Sequence, residues 1–167
     1  MIIEQVKSEV LEARLQEVRA FLEAENLGAL LVYSPAAEHK WGQTGHVSYL
    51  TGWANHDRIV DTAVVVPVEG PPVLLYAGLP FMREQVTDVS PLEDVRMVQA
   101  VDPNAVAAAP PEGVPASEWI RDFAGETLAV LQEREIFDKD IGLVGVENMP
   151  VPFYEALSNR IGPRLRR

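Results

Sequence analysis

Gly45-His46-Val47-Ser48-Tyr49-Leu50-Thr51-Gly52-Trp53 sets the frame for the sequence on either side of it. Val47 to Leu50 reads as a short strand of β-branched and aromatic residues. Thr51-Gly52 reads as the turn that ends it, with turn hydrogen bonding as the ordinary task of Thr51. Trp53 follows at once, leading into the polar loop Ala54-Asn55-His56-Asp57-Arg58.

Upstream, residues 4 to 26 predict one long helix. Val6, Val10, Leu11, Val18, Phe21 and Leu22 recur near a 3.6-residue period, and Asn26-Leu27-Gly28 is expected to stop it. Ala29 to Tyr33 is a continuous apolar run of strand length, the pattern of a strand covered on both faces. Ser34-Pro35 ends it, and residues 36 to 46 read as a polar loop.

Downstream, Ile59 to Val66 and Val73 to Tyr76 flank Pro67-Val68-Glu69-Gly70-Pro71-Pro72, a β-hairpin pattern. A short helix is expected over Phe81 to Val86 and a strand over Val95 to Val101. Residues 102 to 115, rich in Pro and Ala, read as a surface loop. Ser117 is the expected cap of a helix running to about residue 134, with Ile120, Phe123, Leu128 and Leu131 on its buried face. Ile141 to Val146 predicts a further strand, and Pro150 or Pro152 opens a last helix through Leu157 and Ile161. Helices interspersed with strands predict a three-layer α/β/α domain, a fold class that resembles ribonuclease H. Its sheet should be mixed, of roughly five to six strands, because the hairpin forces an antiparallel pair. One domain is expected over residues 1–167. It ends after a helix whose natural successor is another strand, as expected of a piece of a longer polypeptide.

Composition narrows the function. Acidic residues outnumber basic ones 25 to 14, for a formal charge of −11. Such a surface disfavours nucleic acid, whose binding rests on clustered Lys and Arg. The basic tail Arg160, Arg164, Arg166 and Arg167 reads as a solvated helix end. There is no cysteine, which excludes disulfides, thiolate metal sites and a cysteine nucleophile in this chain. No apolar run approaches the roughly 18 residues of a membrane span. Nor does the start Met1-Ile2-Ile3-Glu4 have the pattern of a signal peptide, so a cytoplasmic location is expected.

Local chemistry is sparse. His39, His46 and His56 lack the spacing that puts two imidazoles on one helix turn. No serine sits in a Gly-x-Ser-x-Gly elbow, and Gly42-Gln43-Thr44-Gly45 lacks the lysine of a phosphate loop. Glu93-Asp94 and the pair Asp138 and Asp140 read as solvated charges near turns. The loop after Gly52 is richer. Trp53, His56, Asp57 and Arg58 place an aromatic face, an imidazole, a carboxylate and a guanidinium together, and loops on a rigid sheet commonly carry binding groups. Arg58 could grip a substrate carboxylate through two parallel hydrogen bonds, Trp53 could cover an apolar group, and His56 could donate to a carbonyl. The competing reading is an Asp57–Arg58 surface cluster with Trp53 packed on the sheet edge. For Trp41 and Tyr49, burial or subunit contact is expected.

In order and spacing, these segments resemble the amino-terminal domain of the creatinase, prolidase and aminopeptidase P family. The resemblance rests on Arg14-Leu15, Leu27 to Val32, Tyr49-Leu50-Thr51-Gly52-Trp53, Val64 to Pro67 with Pro72 to Leu75, and Ile141 to Glu147 followed by Pro152 to Leu157. His46 stands where the family commonly has Asn, and the 102–115 stretch is less typical. The resemblance implies a non-catalytic lobe of a hydrolase, an Xaa-Pro dipeptidase by preference. Such a lobe helps build a homodimer and walls a cleft for a peptide or small-molecule substrate, a creatine-like one among the possibilities. It implies no cofactor here. A divalent metal pair (Mn, Co or Zn) would belong to a carboxy-terminal pita-bread domain outside this chain. Two alternatives stand beside it. One is a self-contained binding or dimerisation module; the other is a metal-dependent nuclease of ribonuclease H type using Asp57, Asp61 and Glu147.

Overall fold

A computed structural model describes residues 7–35, 45–52, 61–77, 90–99 and 120–167. Six strands form one mixed sheet in the order β4-β3-β2-β1-β5-β6. They are β1 (Leu27–Ser34), β2 (Thr62–Pro67), β3 (Val73–Ala77), β4 (Asp94–Val98), β5 (Asp140–Val144) and β6 (Leu165–Arg166). β2 runs antiparallel to both β1 and β3, while β3–β4, β1–β5 and β5–β6 are parallel pairs. The mixed three-layer architecture and the Val73 hairpin are therefore as the sequence predicts.

The continuous apolar run of β1 works as expected, because alternate side chains enter two different cores. Ala29, Leu31 and Tyr33 join Val65, Leu75, Phe123, Leu131, Phe153 and Leu157 on one face. Helices α3 (Phe123–Glu133) and α4 (Val151–Ile161) cover that face. On the other face Val32 joins Leu11, Leu15, Val47, Leu50, Val64 and Leu74. There the covering helices are α1 (Ser8–Ala24) and α2 (His46–Thr51). All six residues of β2 are buried, as a central strand requires.

Several expectations are corrected. Val47 to Leu50 is not a strand: it lies in α2, closed by Gly52 in the left-handed conformation at φ 69°. Burial explains the outcome. Val47, Leu50 and Thr51 share one helical face against β1 and β2, whereas strand alternation would have buried Tyr49, which is 52% exposed. The Thr51 hydroxyl donates back to the Val47 carbonyl at 2.8 Å, satisfying its polar atom inside the core. His46 is accordingly the first residue of a helix and not the last of the preceding loop.

Helix α1 is shorter than predicted, and its apolar residues divide. Leu11, Leu15 and Leu22 are buried, while Val10 and Phe21 are exposed. Asn26, at φ 55°, supplies the left-handed residue after α1; Gly28 lies within β1, where a Cβ would collide with Lys139. Helix α3 is capped by Asp122, whose carboxylate accepts from the Gly125 amide at 2.6 Å, and starts at Phe123. Ile120 is half-buried ahead of it. Helix α4 opens after Pro150 with Pro152 in its first turn, as predicted. The predictions for Trp41, Phe81 to Val86, 102 to 115 and Ser117 lie outside the described residues.

Candidate functional site

Five of the six strands run the same way, so the carboxyl ends of β1, β3, β4 and β5 share an edge with the start of β2. Open α/β sheets hold their ligands at this edge. The described groups there are Tyr33, Ser34, Gly45, Asp61, Thr62, Gln99 and Gly145.

Backbone contacts knit the edge together. Thr62 Oγ1 donates to the Ser34 carbonyl at 3.3 Å, and the Ala77 amide donates to the Asp61 carbonyl at 2.9 Å. The Val47 amide donates to Ser34 Oγ at 3.4 Å, which ties the start of α2 to the end of β1. Gly45 makes that approach feasible, because a Cβ there would strike Ser34 Oγ. Gly145 leaves β5 at φ 81° with its Cα against the Tyr33 carbonyl, a position closed to any side chain.

Tyr33 is a buried phenol at this edge. Its ring makes edge contacts with Phe123 and Phe153, at centroid distances of 6.1 and 5.8 Å. Its hydroxyl is near enough to Asp61 to feel the carboxylate, though outside strict hydrogen-bond geometry. Burial first, then Asp61, pushes the phenol pKa far above its ordinary value. The pair suits holding a neutral phenol beside a carboxylate. As the tyrosine that ends an apolar strand, Tyr33 was the visible signal for it.

Beside β4, the first turn of α3 and the last of α4 border a groove of about 590 Å³. Gln99, Asp122, Asn159 and Arg160 form its polar rim, and Ala124 and Leu128 lie on its floor. Its size falls within the range of small-molecule sites, about 300–1,000 Å³.

The cleft candidates Trp53, His56, Asp57 and Arg58 lie outside the described residues, between Gly52 and Asp61. Asp57 shares that position. Asp61 faces Tyr33, and Glu147 accepts from the Asn148 side chain at 3.4 Å. Among the described residues, no three His, Asp or Glu side chains are grouped to hold a metal ion.

Some charges read as solvated prove to be structural, while Asp138, 98% exposed, is solvated as expected. Asp94 receives two hydrogen bonds from Arg96, each 2.8 Å, and also pairs with Arg134 at 3.3 Å. Arg96 reaches on to Glu126 at 2.8 Å and Glu133 at 2.7 Å, fastening β4 to α3. The Arg96 bonds hold the carboxyls of Asp94 and Glu133 below the usual carboxylate range. In the basic tail, Arg164 bonds the Phe137 carbonyl and pairs with Asp138, while Arg166 pairs with Asp140 at 2.6 Å. Arg167 lies 4.8 Å from the Tyr154 ring centre. No helix among the described residues is long and apolar enough to cross a membrane.

No protein-family model matches the sequence, and no curated protein matches it either. Solved structures do. The creatinase/prolidase N-terminal domain of an X-Pro dipeptidase from Streptococcus pyogenes superposes with a TM-score of 0.55 at 14% identity, over 92% of each chain. Dipeptidase PepE from Mycobacterium ulcerans gives 0.56 at 18% identity, over 95% of this chain and 34% of its own. The prolidase from Pyrococcus horikoshii gives 0.53 at 12% identity, over 92% of this chain and 31% of its own. This chain thus spans about nine-tenths of the first and about a third of the other two. At these identities the likeness concerns architecture, and the architecture of this chain is that of the creatinase/prolidase amino-terminal domain.

Proposed function

We propose that this chain is the non-catalytic amino-terminal domain of a creatinase/prolidase-like hydrolase, an Xaa-Pro dipeptidase, and that it contributes to oligomer assembly and to the wall of the substrate cleft. One observation carries the reading. The chain matches about nine-tenths of an isolated dipeptidase amino-terminal domain, yet covers only a third of complete dipeptidases with the same fold. The carboxyl edge of the sheet, with Ser34, Asp61 and Gly145, is the part suited to border a substrate. Trp53, His56, Asp57 and Arg58 remain the candidates for contacting it, Arg58 by gripping a carboxylate. Hydrolysis would be the work of a metal pair in a second domain of the parent.

The test is a peptidase assay with an Xaa-Pro dipeptide and added Mn, Co or Zn. The purified 167 residues should give no turnover, and Arg58→Ala in the complete parent should raise KM. Turnover by the isolated chain, abolished by a substitution within it, would refute the reading.

A further inference from the structure

Helix α1 has two apolar faces. Leu11, Leu15 and Leu22 point into the core. Val10, Arg14, Glu17 and Phe21, spaced four, three and four residues apart, stack along a second face. Val10 is 43% exposed and Phe21 52%. Tyr49 of the neighbouring α2 widens this face: Arg14 lies 4.2 Å from its ring centre and donates to its carbonyl at 2.8 Å. Three of the four large apolar side chains exposed among the described residues therefore belong to this one region. Ala13, Ala20 and Ala24, also exposed, flank it and allow another helix to approach.

The pattern carries its own complement. Read along the helix it is apolar, cation, anion, apolar, and the spacing is the same in both directions. An antiparallel copy, turned about an axis between residues 15 and 16, sets Val10 opposite Phe21 and Arg14 opposite Glu17. Each contact then occurs twice, the mark of an isologous interface. Among the described residues Arg14 has no carboxylate partner, and the Glu17 side chain has no hydrogen bond or ion pair. Arg14, held in place by Tyr49, thus presents a cation with no carboxylate beside it, and Glu17 an anion, at the centre of the face.

We propose that this face of α1 pairs antiparallel with the same face of a second copy of the chain. The inference rests on the assembly role given above and names the surface that performs it. The stripe is about 16 Å long at about 1.5 Å per residue, so the contact is smaller than the roughly 1,200–2,000 Å² of a standard stable interface. Self-association of the isolated chain is accordingly expected to be weak, with Kd on the order of 10⁻⁴ M.

Sedimentation equilibrium of the 167-residue chain at about 0.15 M salt tests this. Glu17→Arg sets Arg14 against an arginine twice over and should weaken association at least about tenfold; Arg14→Glu should do the same. The double exchange should restore it, and mixing the two singly substituted chains should form a heterodimer that neither forms alone. Phe21→Ser, which leaves the charges and the Arg14–Tyr49 contact in place, should also weaken it, and circular dichroism confirms that each variant is folded. Self-association indifferent to all these changes would overturn the α1 face while leaving the assembly role standing. A chain that stays monomeric to about 1 mM would overturn the face as well. Only a monomeric complete parent would remove the assembly role.

Discussion

Replacing Arg96 with methionine should destabilise the fold by about 2–3 kcal/mol at neutral pH. Methionine keeps the aliphatic stem over β4 and deletes the guanidinium. That group makes two bonds of 2.8 Å to Asp94, one of 2.8 Å to Glu126 and one of 2.7 Å to Glu133. Side-chain exposure is 22% for Arg96, 25% for Asp94 and 12% for Glu126, so these bonds are largely shielded and contribute about 1–1.5 kcal/mol per carboxylate. Glu133 is 48% exposed and adds a few tenths at most, because water screens it. Arg134 and Arg121 keep partial contact with Asp94 and Glu126, which limits the loss. In urea, with a slope of about 2 kcal/mol per molar, the midpoint should fall by about 1 M. The pH dependence has a definite sign. Asp94 and Glu133 have folded pKa values below their ordinary ones, so their contribution is complete above about pH 4–5 and fades as pH falls through the depressed values. The gap between wild type and Arg96→Met should narrow on acidification. A midpoint shift under about 0.3 M at neutral pH, or a gap as wide at pH 3 as at pH 7, would refute the reasoning.

Gly145→Ala forces a side chain into φ 81° and against the Tyr33 carbonyl; a loss of about 2 kcal/mol or more, a fall in Tm of about 4–8 °C, is expected by calorimetry, and an unchanged Tm would contradict it. Tyr33→Phe removes a buried hydroxyl beside Asp61 and should change stability by less than about 1 kcal/mol at neutral pH. Its effect should appear in alkali. The folded phenol resists ionisation, so the wild type loses stability as pH rises past about 10, whereas the variant lacks that loss; coincident alkaline unfolding curves would count against it.

What could be read in the sequence depended on how local its cause was. The run Ala29 to Tyr33 announced a doubly covered strand because both neighbouring layers select for apolar residues at every position. The hairpin around Gly70 and the proline-led start of α4 were legible because turn and helix-start chemistry sits within a few residues. The 46–51 segment misled because Val, Tyr and Thr favour strands, while contact with β1 and β2 rewards burial on one helical face. The helix ends misled for a related reason: Asn26 and Asp122 perform tasks expected of Gly28 and Ser117, and several nearby residues were chemically eligible for each.

The one-dimensional chain was therefore sufficient for the layered α/β class, the mixed sheet and the lobe it resembles, since periodicity and turn residues act over short range. Only the folded structure joined residues distant along the chain: Tyr33 with Asp61, Arg96 with Glu126 and Glu133, Arg14 with Tyr49. Such partners are chosen by strand order and helix placement. A charge looks the same in sequence whether water or another side chain surrounds it.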